Sequence, residues 1–260
     1  FRGDSTQLDE PAGMRRHLRR LALRWVYSHV DLALAVGTHN REYFLAHGLS
    51  PRQVGFAPHA VENERFGAGG EAADAEAERW REALGVPPHA VVALFAGKLE
   101  PKKEPCRLLV AFDRSHLPDF HLVFAGSGPL EGDLQRDRPA RVHFLGFQNQ
   151  SRMPLVYRLG DCLILPSSHH ETWGLAVNEA MASGRAVAVS DKVGCAPDLV
   201  VPDRTGWVCP SGDTMALERV LQEIHARGRD DLRAMGSCGR EHIAAWTVSR
   251  QADCIEHELA

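Results

Sequence analysis

The sequence predicts an α/β protein built on a doubly wound parallel sheet. Six short runs between residues 91 and 210 are almost continuously apolar, which is typical of parallel strands buried on both faces. Helical patterns lie between these runs, and alternation of strand and helix indicates a doubly wound sheet. The composition agrees, because 44% hydrophobic and 25% charged residues are ordinary for a globular domain.

Each element follows from its own pattern of apolar residues. The predicted strands of the sheet are 91–97, 121–126, 142–147, 162–167, 186–190 and 206–210. The helices predicted between them are 106–112, 130–137, 154–159, 175–183 and 197–200. Three further helices are predicted to close the chain, at 214–227, 231–245 and 248–259.

Residues 1–60 have a different organisation. Helices are predicted at 14–30 and 41–47, and strands at 31–36 and 53–58, which is too little to close a domain. We interpret this region as the remnant of a second Rossmann-like domain whose first part is absent. The segment that follows is rich in glycine, alanine and acidic residues, which predicts a linker. The predicted division is therefore 1–60 remnant, 61–88 linker, 89–245 main domain and 246–260 crossover helix.

Charge and cysteine content exclude several classes of protein. Thirty basic against 34 acidic residues give a net charge of −4, which disfavours a nucleic-acid-coating protein. The six cysteines are spread out without a C-x-x-C pair, as expected of reduced cysteines in a cytoplasmic protein without a metal site. No run of 18 apolar residues exists that could span a membrane.

Ligands bind at the carboxyl ends of strands in open α/β sheets, so the residues there are the candidates for a site. Gly97 and the lysines that follow it, including Lys98 and Lys103, could meet a diphosphate, although a solvated lysine loop is the alternative. Gly126 begins a Gly-Ser-Gly-Pro turn that either admits a ligand or only connects two elements. Phe147 precedes two amides, where a flat base could rest or where an ordinary loop could lie.

The segment after the strand at 162–167 is the most informative. It predicts a helix beginning near Gly174, whose first amides, at Gly174 and Leu175, suit a phosphate. Glu171 precedes that helix and Glu179 lies within it, where a carboxylate could accept hydrogen bonds from a ribose diol. A buried salt bridge or a charge near the helix N-terminus is the alternative for Glu179.

These segments, in this order, resemble the donor-binding domain of retaining glycosyltransferase family 4, which has the GT-B fold. The resemblance runs from about Pro58 to the end of the chain. It is carried by segments 97–103, 126–129, 144–147, 171–184, 186–188 and 205–206. The two glutamates separated by seven residues, Glu171 and Glu179, are its most specific feature.

The resemblance implies a role for each matching residue. Lys98, in place of the usual arginine, and Lys103 are expected to bind the diphosphate, and Glu171 to face the donor sugar near its reacting carbon. Glu179 is expected to bind the ribose. We therefore predict catalytic roles for Glu171, Lys103 and Lys98, and donor-binding roles for Gly97, Gly126, Phe147, Thr172, Trp173, Gly174, Leu175 and Glu179.

The expected activity is transfer of a hexose, with retention, from a nucleoside diphosphate sugar to a glycan or lipid-linked acceptor. No metal or other cofactor is expected, and no nucleic acid partner. The alternatives are a nucleotide-sugar-binding module without transfer activity and a GT-B sugar-nucleotide epimerase or hydrolase. Because the acceptor side is only a remnant, we expect residues 1–260 alone to bind nucleotide without transferring sugar.

The predicted first helix carries arginines interleaved with apolar residues over Met14–Val26. Such a helix either contacts an anionic membrane surface or packs its apolar side inward as an ordinary surface helix. The expected location is therefore cytoplasmic, with peripheral contact at the inner membrane face through this helix as one of the two interpretations.

Overall fold

A six-stranded parallel sheet forms the centre of the larger unit of the protein. The computed structural model describes residues 1–10, 13–136 and 138–260. The first two strands, β1 (Ala33–Ala35) and β2 (Val54–Phe56), pair with each other in a small parallel sheet. The main sheet has the order β5-β4-β3-β6-β7-β8. Its strands are β3 (Val91–Ala96), β4 (Phe120–Ala125), β5 (Val142–Gly146), β6 (Cys162–Leu165), β7 (Ala186–Ser190) and β8 (Gly206–Cys209).

Eleven α-helices and two short 3-10 helices, Pro51–Gln53 and Pro101–Lys103, are described around these two sheets. The smaller unit contains α1 (Met14–Tyr27) and α2 (Thr38–Ala46). The larger unit contains α3 (Asn63–Gly67), α4 (Gly70–Ala83), α5 (Pro105–Ser115), α6 (Glu131–Gln135), α7 (Met153–Leu159), α8 (Leu175–Ala182), α9 (Ala196–Leu199) and α10 (Thr214–Ile243). The last helix, α11 (Val248–Leu259), lies against β2 of the smaller unit. The predicted α/β class with a parallel sheet is confirmed.

The main sheet is apolar on both faces because helices cover both. Along β3, Val92 and Leu94 belong to the core on one face, whereas Ala93 and Phe95 belong to the core on the other. This alternation is the two-residue period of a strand. It explains why the strand sequences are continuous apolar runs rather than alternating ones.

The order of the strands creates a switch point at the carboxyl ends of β3 and β6. From β3 the chain moves outward to β4 and β5, and it then returns to place β6 on the other side of β3. The loops that leave β3 and β6 therefore diverge and leave a crevice between them. Ligands of doubly wound sheets bind in such crevices.

The segment at 61–88, predicted as a linker, instead holds α3 and α4. These helices pack against α8 and α7, so the segment is part of the larger unit. The linker was predicted from the glycines of this segment, but the segment is also rich in alanine, which has the highest helix propensity. The other domain boundaries stay a prediction.

One further difference concerns the start of a helix, and one predicted pair of helices is present. The helix predicted at 41–47 begins earlier, at Thr38, because the carboxylate of Asp198 accepts hydrogen bonds from the Thr38 amide (2.9 Å) and hydroxyl (2.7 Å). The two predicted helices at 214–227 and 231–245 both lie within α10, where the non-helical backbone of Gly228 (φ +70°, ψ 173°) separates them. Asp137, at the end of another predicted helix, lies outside the described residues.

Asp161 forms an almost completely buried ion pair with Arg81. Its carboxylate accepts from both terminal nitrogens of Arg81, at 3.1 and 2.9 Å, and from the amide of Val92, at 2.8 Å. Arg229 of α10 contacts the same carboxylate at 3.3 Å. The pair therefore connects α4, β3, the start of β6 and α10.

Candidate functional site

A cavity of about 860 Å³ lies at the switch point of the main sheet. Its walls come from the loops after β3, β4, β5 and β6, from the start of α8, and from residues Asp4 and His59 of the smaller unit. All eleven residues predicted from the sequence to act in catalysis or donor binding line this one cavity: Gly97, Lys98, Lys103, Gly126, Phe147, Glu171, Thr172, Trp173, Gly174, Leu175 and Glu179.

Lys103 and Glu171 form an ion pair across the switch point. Lys103 follows β3 and Glu171 follows β6, and Nζ of the lysine lies 2.5 Å from Oε2 of the glutamate. The hydroxyl of Ser167 donates to the same oxygen, at 3.1 Å. The lysine assigned to a phosphate and the glutamate assigned to a sugar therefore neutralise each other. An incoming diphosphate would compete with Glu171 for Lys103.

Lys98 is placed differently from Lys103. Its side chain is 66% exposed at the rim of the cavity, and Nζ lies 3.7 Å from Glu100. Glu100 also pairs with Lys102, at 3.5 Å. Lys98 is therefore a surface cation, which solvent screens more strongly than the enclosed Lys103.

The glycines after β3 and β4 allow two loops to lie backbone against backbone. The amide of Leu99 donates to the carbonyl of Ser127, at 3.0 Å. A Cβ on Gly126 would lie 1.9 Å from the carbonyl oxygen of Gly97, and one on Gly128 would lie 2.3 Å from that of Leu99. Glycine is therefore required at these two positions by contact with the neighbouring loop, whether or not a ligand binds.

We expect Gly126→Ala to destabilise the fold by roughly 1–3 kcal/mol, the usual cost of overpacking, since the loops after β3 and β4 must separate. Urea unfolding measures the loss. Gly132→Ala in α6 is the matched control, because a Cβ there meets no atom within 4 Å. It should be neutral or stabilising by up to about 1 kcal/mol. Equal stabilities for the two variants would contradict this explanation.

The start of α8 presents backbone donors to the cavity. Gly174 precedes the helix with φ +97°, a conformation that favours glycine, and a Cβ there would approach Val193 to 2.8 Å. Gly174, Leu175 and Ala176 all line the cavity. The amides of a first helical turn have no partners within the helix and attract anions.

Glu179, one turn further along α8, is held by two neutral donors. Oε2 accepts from the hydroxyl of Tyr157 at 2.6 Å, and Oε1 accepts from the amide of Gln150 at 3.0 Å. Burial, together with the charge of Glu179 and this hydrogen bond, raises the pKa of Tyr157 well above its usual value. Among the described residues the partners of Glu179 are these neutral groups and no basic side chain, so the salt-bridge alternative is wrong.

Sequence reasoning missed Tyr157 and Gln150 as parts of the site. Tyr157 lies in a helix whose other apolar residues, such as Val156 and Leu159, are core residues, so its pattern indicated packing only. Gln150 lies in a loop without a motif. The signal that could have found Tyr157 is its phenol within an otherwise apolar helical pattern, because a phenol that packs into a core requires a hydrogen-bond acceptor.

Trp173 lines the cavity, but its indole is occupied elsewhere. The indole N–H donates to Oδ1 of Asn178, at 2.8 Å, and the side chain is buried. The ring packs on Trp246 and on His59, with centroids 5.2 and 5.7 Å apart. Its side chain therefore fills the junction between the two units at the edge of the cavity, and its role in donor binding stays a prediction. Phe147, by contrast, is 77% exposed at the cavity.

The smaller unit closes one side of the cavity, which the sequence did not indicate. Oδ2 of Asp4 accepts from the hydroxyl of Thr172 at 2.7 Å and lies 3.9 Å from Nε2 of His59. Burial, with Arg2 nearby, lowers the pKa of His59, while Asp4 acts in the opposite direction. Burial and Arg2 therefore favour the neutral imidazole of His59, whereas Asp4 favours the protonated one.

The site has no geometry for a protein-bound metal in the part of the chain that the structure describes. Among those residues, no group of three or more His, Cys, Asp or Glu side chains converges as metal ligands would. That the reaction requires no metal stays a prediction. Within the same residues, no helix combines the length and apolarity needed to cross a membrane.

Comparison with known proteins places this site in a family context. The sequence model of the family described as "Glycosyl transferases group 1" matches residues 76–242. A D-inositol 3-phosphate glycosyltransferase of Mycolicibacterium gilvum is 28% identical over 249 residues, covering 92% of this chain and 53% of that protein. The corresponding protein of Saccharomonospora viridis is 32% identical over 223 residues, covering 79% and 49%. The chain spans about half the length of the curated relatives it matches.

Solved structures share the fold. HepE of Anabaena, crystallised with UDP, superposes with a TM-score of 0.80 at 18% identity, covering 94% of this chain and 69% of that one. Sucrose-phosphate synthase of Thermosynechococcus elongatus superposes with a TM-score of 0.77 at 22% identity, covering 98% and 65%. The predicted GT-B fold is therefore confirmed.

Proposed function

The chain belongs to the glycosyl transferases group 1 family, and from this premise we propose that it provides the donor-binding part of a retaining hexosyltransferase. The donor is a nucleoside diphosphate sugar, and the acceptor is a glycan or a lipid-linked sugar. The single observation that carries the proposal is the cavity at the switch point. There, a lysine, the free amides of a helix start and two glutamates converge from loops far apart in the sequence.

The contacts in the cavity suggest how a donor would be held. The diphosphate would lie between Lys103, Lys98 and the amides of Gly174 and Leu175, which together offset its charge without a metal. The ribose would exchange hydrogen bonds with Glu179, which neutral donors already hold in position. The base would lie near Phe147, the exposed aromatic side chain at that end of the cavity.

Binding of the diphosphate would also change the state of Glu171. Lys103 cannot give its full charge to both Glu171 and a phosphate, so the phosphate would weaken the ion pair. The released carboxylate would then face the sugar and stabilise the positive charge that develops on the reacting carbon. We propose same-face substitution, in which the departing diphosphate accepts the proton of the attacking hydroxyl.

UDP is the first nucleotide to test, because HepE was crystallised with UDP and also with UDP-glucose. Titration calorimetry with UDP, GDP, ADP and their nucleosides identifies the base and the diphosphate requirement. Release of UDP from UDP-sugars with and without acceptors separates a transferase from an epimerase, a hydrolase or a binding module. Failure of every nucleoside diphosphate to bind would overturn the proposal.

Removing the lysines should weaken binding of the diphosphate and not of the nucleoside. We expect Lys103→Ala to cost roughly 1.5–3 kcal/mol of UDP binding, as charged hydrogen bonds do. Lys98→Ala should cost less, because its side chain is more exposed. Lys192→Ala is the matched control: it changes the net charge equally, but Lys192 does not line the cavity and donates to the carbonyl of Leu8. The lysine effects should shrink as salt is added. Equal losses for uridine and UDP would contradict a role at the phosphates.

Removing Glu179 should weaken binding of the nucleoside itself. We expect Glu179→Ala to lower uridine and UDP affinity alike by roughly 1.5–3 kcal/mol, or ~10- to 150-fold. The control is Glu223→Ala, another helical glutamate held by a neutral donor, the indole of Trp207 at 2.8 Å. Unchanged affinity of a folded Glu179→Ala protein, measured by calorimetry, would exclude the ribose role.

A further inference from the structure

Helix α1 exposes a continuous apolar stripe. The stripe consists of Met14, Leu18, Leu21 and Trp25, which are spaced four, three and four residues apart and are 79%, 61%, 64% and 70% exposed. That spacing places all four on one side of a helix. Large exposed apolar side chains arranged contiguously mark an interaction surface, whereas single scattered ones do not.

The stripe is not the side of α1 that packs on the protein. Leu23 and Tyr27 contact the core of the smaller unit, together with Ala33 and Ala35 of β1. At about 100° per residue, these two side chains lie on the opposite side of the helix from the stripe. Leu23 and Tyr27 therefore account for the packing of this helix on the protein, and the stripe takes no part in it.

Another explanation for the stripe would be that further strands, paired with the small sheet of β1 and β2, cover it. Such strands would not reach the stripe. Arg2 already pairs with Leu34 as a parallel neighbour of β1. Further strands would extend this sheet sideways in its own plane, below the face of α1 that holds Leu23 and Tyr27. The stripe faces away from that plane.

Positive charge flanks the stripe on both sides. Arg15 and Arg19 lie on one side, and Arg20 and Arg24 lie on the other. Arg20 and Arg24, together with His17, Leu21 and Ala46, line a cavity of about 210 Å³. Glu10 pairs with Arg20 at 2.9 Å. In the described part of the chain, Arg15, Arg19 and Arg24 make no ion pair, and α1 itself contains no acidic residue. This helix is strongly basic in a protein whose net charge is −4.

We infer that α1 docks the protein on an anionic lipid bilayer, with the stripe inserted at the level of the headgroups and the arginines on lipid phosphates. Charge complementarity favours this occupant, because a basic amphipathic helix lies in the plane of an anionic interface. Trp25 is suited to this depth because its ring is apolar and its N–H is polar. A symmetric contact with a second copy would bring the arginines of both helices together, which like-charge repulsion disfavours. The inference does not depend on the proposed transfer reaction.

Vesicle flotation of the full-length protein tests the inference. Vesicles of phosphatidylcholine alone are compared with vesicles that contain phosphatidylglycerol. We expect binding to the anionic vesicles only, a decrease in binding with added salt, and at least a tenfold loss for Leu18→Glu with Leu21→Glu. Arg15→Glu with Arg19→Glu should cause a similar loss. Circular dichroism and thermal unfolding confirm that each variant is folded.

Matched controls place a glutamate at apolar side chains that are exposed on other helices. Val110 on α5 and Met215 on α10 are 49% and 60% exposed, and Val110→Glu and Met215→Glu should bind vesicles like the unmodified protein. Absence of binding to anionic vesicles would overturn the inference. Equal losses for all variants would overturn it as well, as would a dimer in analytical ultracentrifugation that Leu18→Glu with Leu21→Glu dissociates.

Discussion

Glu171→Gln in the full-length protein is expected to lower the rate of sugar transfer by ~10²–10³-fold, while UDP affinity stays the same or rises. Glutamine keeps the shape of the side chain and removes its charge, which would otherwise stabilise the transition state more than the bound donor. The same change removes the partner of Lys103, whose Nζ lies 2.5 Å from Oε2 of Glu171. Lys103 is then available to the diphosphate without competition.

Two measurements check this expectation. Transfer is followed as UDP release at saturating donor and acceptor, and UDP affinity is followed by calorimetry. Glu100→Gln is the control. Glu100, like Glu171, forms ion pairs with lysine, in its case Lys98 and Lys102, but it does not line the cavity. It should change the rate by no more than a few-fold. If rate and UDP affinity fell together for Glu171→Gln, the residue would serve the shape of the site rather than the reaction.

Asp161→Ala is expected to destabilise the fold by about 3–5 kcal/mol, the cost of leaving a buried charge without its partner. Both members of the pair are almost completely buried, since Arg81 and Asp161 are 1% and 5% exposed. The variant removes the acceptor from Arg81 and from the Val92 amide at once. It therefore loosens α4, β3 and β6 together, close to the sheet that holds the cavity.

Urea unfolding monitored by circular dichroism measures this loss. Asp230→Ala is the matched control, because Asp230 forms an ion pair with Arg233 but is 98% exposed. It should change the free energy of unfolding by no more than about 0.5 kcal/mol. Replacing both members of the buried pair, by Arg81→Met with Asp161→Leu, should cost less than Asp161→Ala alone, since no unpaired charge remains. A loss of less than about 1 kcal/mol for Asp161→Ala would contradict the assigned role of the pair.

The sequence by itself determined the class of fold and the region of the site. Apolar periodicity and the residues at strand ends are local properties, so the six strands of the main sheet and their order along the chain could be predicted. Because parallel strands end at the same edge of a sheet, the predicted residues after β3, β4, β5 and β6 had to lie near one another. All eleven do line one cavity.

Only the tertiary structure decided which side chains meet in that cavity. Lys103 and Glu171 are 68 residues apart and form an ion pair, and Tyr157 holds Glu179 from a helix that the sequence indicated only as core. Asp4 contacts Thr172 across 168 residues. A pattern of residues states how each segment folds locally, but a hydrogen bond between distant segments depends on how their elements pack. The same reason left the outward stripe of α1 undecided, since exposure is a property of packing and not of periodicity.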